Sequence, residues 1–84
     1  MKRDTLKALI DAGALTGVRI IGRGSQLYVE GDTRNGSFAV STIGGTPKTW
    51  KTIDACARWI RDLGVAEIEL DIKSWQPGQR DLPL

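Results

Sequence analysis

Few residues of this chain have the chemistry of a catalytic centre. Histidine, the commonest general acid–base side chain, is absent from the 84 residues, and Cys56 is the single cysteine. Cys56 falls on the apolar stripe of a predicted helix, where a thiol is desolvated and unreactive. One cysteine without histidine also excludes an intramolecular disulfide and a Cys/His zinc site. The sequence therefore predicts a protein that is not an enzyme and that holds no cofactor or metal.

Three acidic residues alternate with apolar ones near the end of the chain, namely Glu67, Glu69 and Asp71. On a strand their side chains would form a row, and carboxylate oxygens are ligands for hard cations. The same spacing is typical of the solvated face of a strand, with Arg19 nearby to neutralise the charge. We favour the solvated face, because ion-binding loops turn sharply around a glycine and this segment does not.

Basic and aromatic residues are concentrated between positions 46 and 61. This stretch carries a net charge of +3, from one acid and the four cations Lys48, Lys51, Arg58 and Arg61, whereas residues 66–73 carry −2. Trp50 lies between two lysines, so it could stack on a nucleic-acid base while they contact phosphate. Alternatively, Trp50 closes one end of the core and its lysines point to water. We favour the core role, and retain one candidate nucleic-acid or partner site: Arg34, Lys48, Trp50, Lys51, Arg58 and Arg61.

Two helices must position these residues. Apolar residues at helical spacing predict a first helix over residues 4–12, capped by Asp4 or Thr5 and ended by Gly13. A second helix is predicted from the N-cap Thr52 to Gly64. Its apolar stripe is formed by Ile53, Cys56, Ala57, Ile60 and Leu63.

Four strands complete the predicted elements. Glycines divide a β-branched region into strands near residues 17–22, 26–31 and 36–43, with Asn35-Gly36 supplying the second hairpin turn. Residues 65–75 alternate cleanly and predict a last strand with Ile68, Leu70 and Ile72 on its buried face. In the meander, one core face is expected to carry Val18, Ile20, Leu27, Val29, Phe38 and Val40.

The predicted fold is α+β with the order α-β-β-β-α-β. It consists of a three-stranded antiparallel meander and a fourth strand added by a helical crossover, parallel to the third, with both helices on one sheet face. Residues 1–75 are expected to form a single domain, and residues 76–84 a flexible or loosely docked tail. Composition agrees with one small globular domain, since 40% of the residues are hydrophobic and 26% are charged.

Charge and hydropathy limit the classes of partner that the sequence supports. The net charge of +2 is weak support for a nucleic-acid partner, although the pI is near 9.0. No segment approaches the ~18 apolar residues of a membrane span, and the N-terminal residues lack the continuous apolar stretch typical of a signal peptide. We expect a cytoplasmic protein with no membrane contact and no small-molecule substrate.

Two families share features with this chain. Its helix and strand order resembles that of double-stranded-RNA-binding domains, although the basic Lys-Lys-Ala run of that family is missing. Residues 5–72, through "LIDAGALTGVRIIGRGSQLYVE" and "KTWKTIDACARWIRDLGVAEIELDI", resemble the small ParC-type partition-associated proteins of plasmids and integrative elements. The matching positions are Trp50, Lys51, Thr52, Leu63 and Gly64. This resemblance implies an accessory role in plasmid maintenance or partition, with no catalytic residues.

Taken together, the sequence predicts a non-enzymatic accessory binding protein of a plasmid or mobile element. A protein partner, or self-association, is favoured over nucleic acid because the net charge is modest. An outer sheet face with Ile21, Tyr28 and Ile43, or a free edge strand, would support a protein partner. Clustering of the basic residues with Arg34 on one surface would support nucleic acid.

Overall fold

The structure, a computed structural model, describes residues 1–76. Its elements follow the predicted order and confirm the α+β class. They are α1 (Arg3–Asp11), β1 (Gly17–Gly24), β2 (Gln26–Thr33), β3 (Gly36–Ala39), α2 (Ile53–Asp62) and β4 (Glu69–Trp75).

The four strands form one sheet in the order β3-β2-β1-β4. The first three strands form the predicted antiparallel meander, and β4 pairs in parallel with β1. The third and fourth strands therefore run in the same direction, as predicted, but they lie at opposite edges of the sheet. The sequence left the strand order open, and the structure puts β4 next to β1.

Both helices pack on one face of the sheet, over its centre. Leu6 of α1 lies near Gly31 of β2, and α2 also contacts β2. Between the helices and the sheet lies the buried core, which comprises Leu6, Val18, Ile20, Leu27, Val29, Val40, Cys56, Ile60 and Leu63. The predicted core face of the meander and the apolar stripe of α2 are thus confirmed. Phe38 is the exception: it is 44% exposed, because β3 is an edge strand and a groove separates it from α1.

The prediction that β4 buries its apolar face is wrong. Ile68, Leu70 and Ile72 are 38%, 45% and 47% exposed. Leu70 pairs with Ile20, which is fully buried, so the two side chains share a face of the sheet. The helices lie over the central strands, and β4 is added beyond the area that they cover.

Helix ends follow the sequence at three of four positions. Thr52 caps α2, since its Oγ1 accepts a hydrogen bond from the Ala55 N–H at 3.2 Å. Gly13 and Gly64, with φ of 68° and 105°, follow the two helices in the left-handed conformation. The predicted cap of α1 is wrong: the helix begins earlier, and its N-cap is Lys2, which makes no side-chain capping bond.

The second hairpin turn is centred one residue earlier than predicted. Thr33 pairs with Gly36, so Arg34 and Asn35 occupy the turn. The Thr33 hydroxyl accepts a bond from the Asn35 N–H and donates one to the Gly36 carbonyl, at 3.1 Å each. This local bonding lets β2 continue to Thr33, where a longer loop was expected.

Except for Gln76, the predicted tail at residues 76–84 lies outside the described residues. Neither helix in residues 1–76 has the length and apolar character needed to cross a membrane.

Candidate functional site

Trp50 lies at the joint between β3 and α2 and packs against the core. Its backbone forms two hydrogen bonds of 2.8 Å with Leu27, which extends pairing along β2 beyond the end of β3. The Trp50 and Trp59 rings are 5.0 Å apart at 55° to one another, and both are partly buried. Trp50 therefore closes one end of the core, as the sequence indicated, and Trp59 covers it from α2.

Lys48 lies against these two rings instead of pointing freely into water. Its Nζ is 5.3 Å from the centre of the Trp50 ring and 5.9 Å from that of Trp59, so the ammonium contacts both π systems. Lys48 also lines a hollow of about 420 Å³ with Lys2 and Arg3. We define Lys2, Arg3 and Lys48 as the basic hollow.

Lys2 and Arg3 were missed by the sequence reasoning. Placing the start of the first helix at residue 4 left these two cations in an unassigned N-terminal segment. In the structure, a parallel bridge between Lys2 and Ser41 holds them beside the loop that follows β3. A basic N-terminal pair was visible in the sequence, but nothing local indicated which loop it would meet.

The remaining basic residues of the predicted site lie elsewhere. Lys51, Arg58 and Arg61 are exposed, and Arg58 forms an ion pair of 2.9 Å with Asp54 one turn away on α2. This pair offsets part of the positive charge counted along the sequence.

Arg34 is separated from the other cations. It lies in the β2–β3 turn, close to Thr16, whose N–H bonds to the Asp32 carbonyl at 2.8 Å beyond the carboxyl end of α1, whereas the basic hollow lies at the amino end of that helix. The groove of about 830 Å³ that Arg34 lines runs along α1 from Met1 to Gly13. The six residues of the predicted site are thus distributed among the Trp50 joint, the exposed side of α2 and the β2–β3 turn. The clustering with Arg34 that would support nucleic acid is not observed.

Cys56 lies in the core, with no exposed surface. Burial raises the pKa of its thiol to about 12. Since the thiolate is the nucleophilic form, this environment keeps the sulfur in its unreactive, protonated form at neutral pH.

A charged network occupies the outer face of the sheet, opposite the helices. The Arg19 guanidinium donates two bonds to Asp32 and one to Glu30, each 2.8 Å, and the Ser37 hydroxyl donates to Asp32 at 2.6 Å. The bond from Ser37, together with the Arg19 contacts, lowers the pKa of Asp32. Hydrogen bonds from Arg19 to Glu30 and Asp32 raise the pKa of the guanidinium.

This network changes the expected neutralisation of the acidic row. Arg19 is paired in register with Glu69, yet its guanidinium points to the acids of β2. In residues 1–76, Glu67 and Glu69 form no ion pair, and Asp71 has only Lys73, at 3.7 Å. In the described residues, no cluster of three or more acidic, cysteine or histidine side chains is arranged to hold a metal ion.

The outer edge of β4 is the second candidate surface. No strand in residues 1–76 pairs with that edge. Ile68, Leu70 and Ile72 form an apolar row on its helix-side face, and Glu69 and Asp71 lie on the opposite face, as their pairing with Arg19 and Ile21 shows. We call this surface the β4 edge. The outer-face residues Ile21 and Tyr28 are partly buried, while Ile43 lies in a loop beside the basic hollow and is 90% exposed.

Comparison with known proteins adds no relative to this picture. No family model matches the chain, and no significant match was found among the curated proteins or the solved structures. The resemblance to ParC-type partition-associated proteins therefore stays a prediction from the sequence.

Proposed function

We propose that this chain is a protein-binding module that takes up an extended segment of a partner protein along the β4 edge. The observation that carries the proposal is the exposed apolar row of Ile68, Leu70 and Ile72 beside an unpaired strand edge in the described part of the chain. An added strand would bond the free backbone groups and cover the three side chains at once. An unpaired strand edge with exposed apolar side chains is prone to aggregation, so we expect a partner to cover it.

The proposed role is binding, and the burial of Cys56, the one thiol of the chain, argues against nucleophilic catalysis by cysteine. An accessory role in plasmid maintenance or partition, which the sequence resemblance implies, is compatible with a module of this kind. In that setting the partner would be another protein of the same maintenance system.

The test is a selection of displayed peptides against the wild-type protein. Selected peptides are then measured against the triple variant Ile68→Thr, Leu70→Thr, Ile72→Thr, in which threonine keeps strand propensity while removing apolar surface. We expect these peptides to lose binding to the triple variant and to keep binding to Ile43→Thr, a control that alters another exposed isoleucine. Selected peptides that bind the triple variant as tightly as the wild type would refute the proposal.

Nucleic acid is the alternative function, supported by one observation. Lys48 lies over Trp50 and Trp59 in a hollow that also contains Lys2 and Arg3, so cations and aromatic rings are adjacent. The two rings contact each other at a tilt of 55°, however, and both are partly buried against the core. Less ring surface is therefore open to a base than the sequence pattern suggested.

A tryptophan fluorescence titration with short single- and double-stranded DNA and RNA tests this alternative. If nucleic acid is the ligand, binding saturates, weakens as salt rises, and is lost in Lys48→Glu/Lys51→Glu. Because Lys48 is partly buried, the melting curve of this variant must be recorded as well. We expect no saturable binding at near-physiological salt.

A further inference from the structure

The two faces of the β4 edge differ in chemistry. On the helix side the edge presents three exposed apolar side chains, Ile68, Leu70 and Ile72. On the outer side it presents the carboxylates of Glu69 and Asp71, and the exposed Glu67 precedes the strand at the same alternation. An incoming strand therefore meets an apolar row on one of its faces and an acidic row on the other.

The acidic row is not neutralised by its own sheet. Arg19, the cation closest to it in register, is held by Glu30 and Asp32 at 2.8 Å. Within residues 1–76, Lys73 is the one cation that pairs with the row, and it contacts Asp71 alone. Glu67 and Glu69 therefore remain available to cations of an added strand.

Side chains at paired positions of neighbouring strands lie on the same face, whichever way the strands run. Opposite charges at such positions stabilise the pairing, and like charges destabilise it. We infer that the occupant of the β4 edge is a segment of another protein in which basic residues alternate with apolar ones. Its apolar side chains cover Leu70 and its neighbours, while its lysines or arginines face Glu67 and Glu69. This inference rests on the proposed protein-binding function of the same edge.

A second copy of the chain fits the edge poorly. Antiparallel pairing of two β4 strands about Leu70 brings Glu69 opposite Asp71 of the second copy, twice by symmetry. Pairing about Asp71 brings this residue opposite itself. Within residues 67–72, the first arrangement matches the apolar row and the second matches only Leu70 with Ile72, and both oppose like charges on the outer face. Lys73, which would meet Glu67 or Glu69 of the second copy, lies at a bulge where regular pairing ends. A basic partner strand covers the same apolar surface without that repulsion.

By composition, residues 77–84 are also a poor match for the edge. Residues 77–84 contain one arginine and one aspartate, so they supply no excess of positive charge. They also contain Pro77 and Pro83, which have no backbone N–H to donate to a neighbouring strand. Charge and hydrogen bonding both favour a segment of a different protein.

A bulge limits how much of the edge can be paired. The register with β1 is regular up to Asp71, which pairs with Ile21, and then shifts so that Ser74 pairs with Arg23. At the shift, the Lys73 N–H bonds to the Asp71 carboxylate at 3.2 Å and is thereby removed from the ladder. Bulges and lysines commonly end pairing at a sheet edge. The occupant is therefore short and aligns with residues 67–72.

The experiment uses short blocked peptides in which valine alternates with lysine, with glutamate or with threonine, each carrying a fluorophore for anisotropy. We expect the lysine peptide to bind the wild type at least roughly tenfold more tightly than the glutamate peptide. The variant Glu67→Lys/Glu69→Lys changes two exposed residues that have no ion pair in the described chain, and it should reverse this order. N-methylation of alternate backbone nitrogens in the lysine peptide should abolish binding, because strand pairing needs those donors.

Each other outcome has a distinct meaning. If threonine and glutamate peptides bind as tightly as the lysine peptide, the inferred charge preference is wrong and the protein-binding function stands. If the N-methylated lysine peptide binds as well as its parent, the attraction is purely electrostatic and the inference fails. If no peptide binds, both proposals fail. A dimer seen by light scattering, and lost in Ile68→Thr/Leu70→Thr/Ile72→Thr, would identify a second copy as the occupant and overturn the inference.

Discussion

The sheet has two edge strands, β3 and β4, and within residues 1–76 segments from elsewhere in the chain bond only at the end of β3. Just past β3, the Ser41 N–H donates to the Met1 carbonyl at 2.6 Å, and Lys2 forms a bridge with Ser41. Past the end of β3, Trp50 pairs with Leu27 of β2. In the described part of the chain no such segment follows the outer edge of β4, although β4 is the longer strand and carries the cleaner alternation.

The difference shows that alternation along a strand determines which side chains share a face, but not whether that face is covered. Ile20 and Leu70 are paired neighbours on the same face of the sheet, yet Ile20 is fully buried and Leu70 is 45% exposed. Coverage depends on where the helices lie, and both are centred over β2. Substitutions in the covered and in the open part of the sheet should therefore differ in their effect on stability.

The largest effect is expected from truncating Ile20, the buried residue of the Ile20–Leu70 pair. Ile20→Ala should lower the free energy of unfolding by about 2–5 kcal/mol, since it removes a fully buried side chain and leaves a cavity. Leu70→Ala should cost less than about 1 kcal/mol, because much of that side chain is already in water. Urea denaturation of both variants measures the difference. Equal losses would mean that the β4 face is covered in solution.

A second test concerns the point at which β4 is fastened to β1. A Cβ added at Gly22 would lie 2.4 Å from Cβ of Trp75, the last residue of β4. Gly22→Ala should therefore cost about 1–3 kcal/mol through displacement of this end of the strand. Gly44→Ala is the matched control, because its added Cβ meets nothing closer than 3.8 Å and its φ is not in the left-handed region. Gly22→Ala with control-level stability would contradict the close contact.

A third and smaller effect is expected at the start of α2, the helix that covers the centre of the sheet. Thr52→Ala removes the acceptor for the Ala55 N–H and should cost about 1 kcal/mol. Thr49→Ala, at an exposed threonine in the preceding loop, should leave the melting temperature nearly unchanged. If both variants melt like the wild type, the Thr52 hydroxyl contributes nothing to the stability of the helix.

Local signals were sufficient to predict most of the elements. Periodicity located both helices, and the glycines after them have the left-handed conformation that ends a helix. The cap at Thr52 was predictable because its hydroxyl and the Ala55 N–H lie three residues apart in the first turn of the same helix. The same reasoning failed at Asp4 and Thr5, since backbone pairing of Lys2 with Ser41, a distant residue, accompanies the start of α1.

The candidate surfaces were harder to predict, because both depend on contacts between distant segments. Charge counted along residues 46–61 suggested one basic patch, yet Arg58 is paired with Asp54 and Arg34 lies at the other end of α1. Conversely, the exposure of Leu70 follows from the position of β4 at the sheet edge. Strand order is set by packing across the whole domain, and no local pattern in β4 indicates it.

The smallest effect is expected in the charged network on β2, whose acids have partners, unlike most of the acidic row on β4. The Ser37 hydroxyl and Arg19 lower the pKa of Asp32 from its usual 3.8 in the folded state. As the pH falls through this range, the unfolded chain binds a proton at Asp32 before the folded chain does, so the stability supplied by the network is lost. Urea midpoints measured from neutral pH down to about pH 3 should show a weaker acid dependence in Asp32→Asn than in the wild type. Ser37→Ala removes one of the two partners and should give an intermediate dependence. An Asp32→Asn protein with the acid dependence of the wild type would mean that the network does not favour the ionised carboxylate. The contrast between the charged network on β2 and the acidic row on β4 would then lose its basis.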